Sequence, residues 1–171
     1  PDIIAKILVQ RGVESPEKVK KFFNPRIGDM YDPFLMKDMD KAIDRIQKAQ
    51  QNQEGVLIFG DYDVDGTTSV ALAYSFFKDK FDKIDYYIPD RYKEGYGIST
   101  AGIDYAKEHG LGLIIALDCG IRSVDKVAYA ASLGIDFIVC DHHLPGKELP
   151  AAAAVLDPKR SDCEYPFKEL A

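Results

Sequence analysis

Asp61-Tyr62-Asp63-Val64-Asp65-Gly66 places three carboxylates within five residues, ahead of a glycine that lets the chain turn tightly. At that density mutual repulsion is costly unless a cation neutralises it, and hard oxygen donors suit Mg²⁺ or Mn²⁺. In isolation, a polar strand-to-helix turn with capping aspartates would look the same. A calcium loop of the EF-hand type is a poorer fit, because it needs a closing glutamate where this chain runs Thr67-Thr68-Ser69-Val70-Ala71. The three hydroxyls could cap the following helix or point at a phosphate.

Asp118-Cys119-Gly120 adds a fourth acid before another glycine, a pattern that a helix cap or a turn also explains. Asp141-His142-His143 is more unusual, since it holds two of the chain's three histidines. Neighbouring residues after a strand face different ways, so one imidazole can ligate a metal while the other meets a phosphate or relays a proton. Asp141 can orient either ring from behind. Taken together, the clusters describe a site in which two divalent cations activate water for attack on phosphorus.

These residues must be positioned by regular elements. Apolar runs at 56–59, 84–88, 113–117, 135–140 and 152–156 do not alternate with polar residues, as expected of strands buried on both faces of a parallel sheet. Helical patterns at 67–80, 100–109 and 123–133 separate them. Val70, Ala73, Tyr74 and Phe77 fall on one face of the first. The order predicts an α/β, Rossmann-like, doubly wound and mainly parallel sheet of about five strands. Ligands of such sheets bind beyond the carboxyl ends of the strands. Asp61, Asp90 with Arg91, Asp118, Asp141 and Asp157 follow the five runs in turn.

Residues 1–52 read instead as a short helical lead-in, giving a division into 1–52 and 53–171. Ser15-Pro16-Glu17 starts a helix that Asn24-Pro25 stops, and Asp38 is placed to cap another carrying Met39, Ala42, Ile43, Ile46 and Ala49. The chain opens on Pro1 and stops at Ala171 inside a helix-compatible stretch, which suggests a piece of something longer. No apolar run is long enough for a membrane helix, and three widely spaced cysteines suggest neither a disulfide framework nor a zinc site, so a reducing cytoplasm is expected. The formal charge of −6 argues against holding nucleic acid by bulk positive charge. Two divalent cations in the acid cluster would offset most of that deficit where it matters.

The segments Gly60 to Ser69, Leu117-Asp118-Cys119-Gly120-Ile121 and Asp141-His142-His143-Leu144-Pro145-Gly146 resemble, in order, the first three motifs of the DHH phosphoesterases. Within that family the likeness is to the N-terminal catalytic region of the RecJ branch, single-stranded-DNA-specific 5′→3′ exonucleases, and covers essentially the whole chain. Arg91 with Glu94-Gly95-Tyr96-Gly97, and the terminal stretch from Asp157 through Tyr165-Pro166-Phe167-Lys168-Glu169-Leu170-Ala171, carry it further. The resemblance implies Asp63, Asp65, Asp118 and His142 as ligands of two Mn²⁺ or Mg²⁺ ions, with Asp118 bridging them. It implies Asp61 and His143 as catalytic-site residues. It also implies one more ligand beyond Ala171, so that the fragment alone is expected to be weakly active or inactive.

Arg91 resembles the family arginine that meets the 5′ phosphate, although a structural salt bridge would also account for it. Tyr96 could stack on a base or pack across its glycine turn. Arg122 could reach phosphate or sit solvated at a helix start. The implied function is exonucleolytic hydrolysis of single-stranded DNA in repair and recombination. By family resemblance, a helicase and a single-strand-binding protein are expected partners, and no membrane is. The alternatives are a phosphodiesterase acting on short RNA or cyclic dinucleotides and a non-catalytic DNA-binding relative. Retention of Asp63, Asp65, Asp118 and His142 argues against the last. A nucleotide-binding Rossmann module would need a glycine fingerprint after the first strand, which is absent.

Overall fold

A computed structural model describes residues 2–170; Pro1, on which the chain opens, and Ala171, the last residue of the terminal stretch above, lie outside the described residues. The chain divides into two compact units, Pro1–Asp32 and Pro33–Ala171. The first holds α1 (Asp2–Gln10) and α2 (Pro16–Phe23). The Ser15 hydroxyl accepts the Lys18 amide to start α2, Pro16 is its first helical residue, and Asn24 closes it, as the sequence indicates.

The second unit begins with a 3₁₀ turn at Pro33–Leu35 and α3 (Met39–Gln51). Then β1 (Gly55–Gly60), α4 (Val64–Phe77), β2 (Ile84–Tyr87), α5 (Thr100–Glu108), β3 (Leu111–Leu117), α6 (Val124–Ser132), β4 (Asp136–Cys140) and β5 (Ala154–Leu156) follow. The five strands form one all-parallel sheet in the order β2-β1-β3-β4-β5. One face packs on α5 and α6 through Phe59, Ile103, Ile114, Val127 and Phe137. The other packs on α3 and α4 through Ala42, Ala49, Ile58, Val70 and Leu113. β1 is buried at every position, whereas the edge strand β2 is only half-buried, so its apolar run is the least like a core strand.

Three local expectations differ from what forms. α4 starts three residues before 67, because the Asp63 carboxylate, rather than a threonine, accepts the Gly66 amide as the N-cap. Gly66 therefore lies inside the helix. What demands glycine there is proximity: a Cβ would come within 2.3 Å of the Asp61 carbonyl oxygen. Asp38 does precede α3, but in a left-handed conformation with no side-chain cap. Its carboxylate pairs instead with Lys41 and the buried Arg160. Residues 165–170 form turns and irregular backbone rather than helix, consistent with Pro166 near their start.

Candidate functional site

Strand register builds the site. Gly60 pairs with Leu117, Leu117 with Cys140, and Cys140 with Leu156. Each of these residues is followed by an aspartate, so Asp61, Asp118, Asp141 and Asp157 line up across the carboxyl edge of four adjacent strands. Neighbouring strands lie about 4.8 Å apart, which brings successive carboxylates into mutual reach. The row crosses the point between β1 and β3 where the winding of the sheet reverses. All four are buried, at 0%, 6%, 8% and 0% exposure respectively.

Buried carboxylates normally find donors, and here several oxygens do not. Neither oxygen of Asp61 has a hydrogen-bond partner, nor does one oxygen each of Asp118 and Asp157. Asp61, Asp63 and Asp118 bring carboxylate oxygens within 4.8 Å of one another, and Asp118 forms a second such group with His142 and His143. Asp118 is thus common to both groups. It also holds a left-handed backbone at φ 60°, an unfavourable conformation for a residue with a side chain, fixed in part by its amide on the Cys140 carbonyl at 2.8 Å.

The electrostatics follow the same division. Burial pushes Asp118 up to about 6, helped by the neighbouring Asp63 carboxyl. Burial and the charge of Asp63 also raise Asp61; the amides of Tyr62 and Gly97 offset this in part without reaching hydrogen-bond geometry. Burial raises Asp157, whose other oxygen accepts the Lys159 amide at 2.6 Å. Asp63 goes the other way, held down chiefly by the Gly66 amide. Asp61 and Asp118, which resist ionisation for want of counter-charge, converge with Asp63 in one donor group, and Asp118 meets His142 and His143 in the other, a donor set that fits divalent cations.

The two imidazoles face different partners, as adjacent residues after a strand should. His142 Nε2 lies 3.0 Å from Asp118 Oδ1. His143 Nδ1 lies 2.7 Å from Asp141 Oδ1, and its Nε2 is 3.1 Å from the Tyr96 hydroxyl. With Asp141 accepting at Nδ1, a neutral His143 presents Nε2 as the acceptor of the Tyr96 proton. Burial and the surrounding acids push Tyr96 up to about 12, so its hydroxyl keeps that proton. Burial would raise Asp141 as well, but the Ile121 amide, the His143 ring and two further amides outweigh it and hold it low.

The site opens on both sides of the sheet. Asp65, Ser69, Asp118 and His142 line a cavity of about 250 Å³ with Met36 and Met39 at its wall. Tyr96, Arg122, Lys126, His143 and Lys159 line a larger one, about 610 Å³, beside the start of α6. Asp65 thus shares a cavity with two of its expected co-ligands but belongs to neither tight donor group among the described residues. Arg122 donates its Nε–H to the Leu144 carbonyl at 2.6 Å, and Arg91 lies with its guanidinium carbon 5.2 Å from the Tyr62 ring centre. The Thr67 and Thr68 hydroxyls are directed back to the Asp63 and Val64 carbonyls, both at 2.6 Å, and so do not face a ligand. Cys119 and Cys140 are held as thiols by burial. Asp157 takes the place in the acid row that its position after the fifth apolar run indicates, whereas Lys159, which lines the larger cavity, carries no such signal in the sequence.

Residues 55–168 match the sequence model of the DHH family, N-terminal domain. The chain is 45% identical over 169 residues to the single-stranded-DNA-specific exonuclease RecJ of Bacillus subtilis and 37% identical over 172 residues to that of Salmonella typhimurium. These alignments cover 99% and 100% of this chain but only 22% and 29% of the relatives. Among solved structures, exonuclease RecJ bound to manganese superposes with a TM-score of 0.71 at 27% identity, over 81% of this chain and 36% of that one. No helix among the described residues is long and apolar enough to cross a membrane.

Proposed function

The chain belongs to the DHH family, and from that premise we propose that it carries the metal-binding half of a nuclease site that hydrolyses single-stranded DNA from its 5′ end. The observation that carries this reading is the set of buried carboxylate oxygens on Asp61 and Asp118 that no protein donor satisfies, converging with Asp63 and adjoining His142. The identity to RecJ exonucleases and the manganese in a RecJ neighbour support the choice of substrate and of Mn²⁺ or Mg²⁺.

In this reading Asp61, Asp63, Asp118 and His142 would hold the ions, with Asp118 common to both donor groups, and Asp65 would contribute from the cavity it shares with Asp118 and His142. Two such ions, when bound, lower the pKa of a water and stabilise charge on the phosphoryl oxygens. The chain's own residues set the rest. Asp141 fixes the ring of His143, which can then accept or return a proton at Nε2, where Tyr96 now sits. Arg91 and Arg122 carry no ion pair among the described residues and are free to grip phosphate, which favours the substrate role of Arg91 over a structural salt bridge. Tyr96, 61% exposed, offers a face to a base. The proposal extends to a catalytic domain over 53–171 with 1–52 as its helical lead-in. It includes a cytoplasmic role in DNA repair and recombination, alongside a helicase and a single-strand-binding protein.

The test uses the full-length protein with Mn²⁺ on 5′-phosphorylated single-stranded DNA, short RNA and a cyclic dinucleotide. DNA should be the preferred substrate, and Asp118→Ala should lower turnover by about 10³-fold or more while thermal unfolding stays cooperative. Near-parental turnover in that variant, or preference for the cyclic dinucleotide, would overturn the reading.

A further inference from the structure

Arg91 follows β2 in a loop whose base is fixed and whose tip is open. The Glu94 carboxylate accepts the Tyr87 hydroxyl at 2.9 Å, the Ser99 hydroxyl at 2.5 Å and the Asp90 amide at 2.7 Å. Gly95 and Gly97 then reverse the chain at φ 86° and 79°. Arg91 itself is exposed, and among the described residues no carboxylate pairs with it; what it meets is the ring of Tyr62. A long cationic side chain with no partner samples many rotamers, and a phosphate that captures it must offset that lost freedom. A guanidinium lying over an aromatic face keeps its N–H groups directed outward, available to a phosphate, while its rotamers are restricted.

Tyr62 is tied from both ends. It lies between Asp61 and Asp63, so the turn that gathers the acids also sets where its backbone stands. The ring meets Tyr96 edge to face at 6.2 Å and 84°, and the Tyr96 hydroxyl continues to His143 and thence to Asp141. A continuous line of contacts therefore runs from Arg91 through two aromatic rings to the histidine beside the acid row.

We propose that Tyr62 is a positioning residue: its ring sets the Arg91 guanidinium beside the Asp61–Asp63 turn, so that a terminal 5′ phosphate is gripped in register with the acid cluster. This rests on the reading of the site as a 5′-acting phosphodiester hydrolase. It makes Tyr62 a determinant of end recognition rather than of water activation.

The experiment measures binding, in the full-length protein with Mn²⁺, of single-stranded oligonucleotides whose first linkage is a methylphosphonate that resists hydrolysis. Matched probes carry a 5′ phosphate or a 5′ hydroxyl. Tyr62→Leu should reduce the preference for the phosphate about three- to fivefold, with the hydroxyl probe little affected, and Tyr62→Phe should restore it. Arg91→Ala should lose about tenfold or more, and adding Tyr62→Leu to it should change the preference no further. If Tyr62→Leu does not fold, Tyr62→Gln removes the ring equally. A phosphate-selective parent whose ring-less variant is just as selective, or whose Phe variant fails like Leu, would overturn the inference alone. A parent indifferent to the phosphate would overturn the reading of Arg91 beneath it, and the inference with it.

Discussion

Asp61 and Asp141 are the same residue type, each one step beyond a strand of the same sheet and each buried, yet their surroundings are opposite. Asp141 accepts the amides of Ile121, His142 and His143 and the ring of His143, and its carboxyl is held below the usual range. Asp61 has no partner for either oxygen, and burial pushes it up. A buried charge that is fully hydrogen-bonded belongs to the scaffold, and one left bare awaits a ligand. The acid row is therefore divided, with Asp141 organising the loop that carries the histidines and Asp61 and Asp118 facing the space between them.

The sharpest way to break this comparison is to remove each carboxylate and measure unfolding in EDTA. Asp141→Ala strands one buried and three part-buried donors and should cost about 2–4 kcal/mol, which lowers Tm by roughly 5–15 °C in a chain of this size. Asp61→Asn removes a bare buried charge, so Tm should stay within about 2 °C of the parent or rise. Mn²⁺ should then stabilise the parent and Asp61→Asn unequally, the latter much less. Equal losses of Tm in the two variants would show that the acids are not divided in this way.

A smaller effect follows from pH. The folded protein keeps Asp118 protonated up to about 6, whereas the unfolded chain releases that proton near the ordinary value of 3.8. Between those values the folded state binds more protons, so stability falls as pH rises and levels off above the folded value. Asp61 and Asp157 push in the same direction. Asp141 has the opposite sign: its contribution is present above 3.8 and is lost as pH falls below it. In EDTA, Tm should therefore decline from pH 5 to pH 7, and saturating Mn²⁺ should abolish the decline, because the ion binds the deprotonated ligands. A flat profile in EDTA would mean that Asp118 is not held protonated by its site.

How much of this was legible in the sequence depends on whether period or partner decides the feature. The strands were readable as short, largely apolar runs, four of them followed directly by an aspartate, and the doubly wound order followed from the helices between them. The row of aspartates followed as well, since parallel strands in register bring their ends together. The satisfaction of each aspartate was not readable: whether an amide 20 residues away reaches Asp141 is a property of the Gly120 turn, at φ 113°, and of where it sets Ile121. Asp38 shows the same limit. Its position predicts a cap, but Arg160, 122 residues distant, offers a buried counter-charge that a helix amide cannot match. Tyr62 reads as a spacer between two acids until its ring is seen beneath Arg91.

Asp63 lies between the two extremes and gives the finest test of them. Its Oδ1 accepts the Gly66 amide at 3.0 Å, which starts α4, while it also supplies a carboxylate oxygen to the group formed with Asp61 and Asp118. Serine retains an oxygen that can cap the helix but brings no charge, whereas alanine retains neither. Asp63→Ala should cost about 1 kcal/mol in EDTA and Asp63→Ser no more than about 0.5 kcal/mol, because only the cap matters to the metal-free fold. Titrated with Mn²⁺ by calorimetry, the two should be equally impaired, because only the charge matters to the ion. If serine preserved Mn²⁺ affinity, Asp63 would belong with Asp141 as scaffold, and the bare cluster would shrink to Asp61 and Asp118, too few donors to hold a cation without His142 and the more distant Asp65.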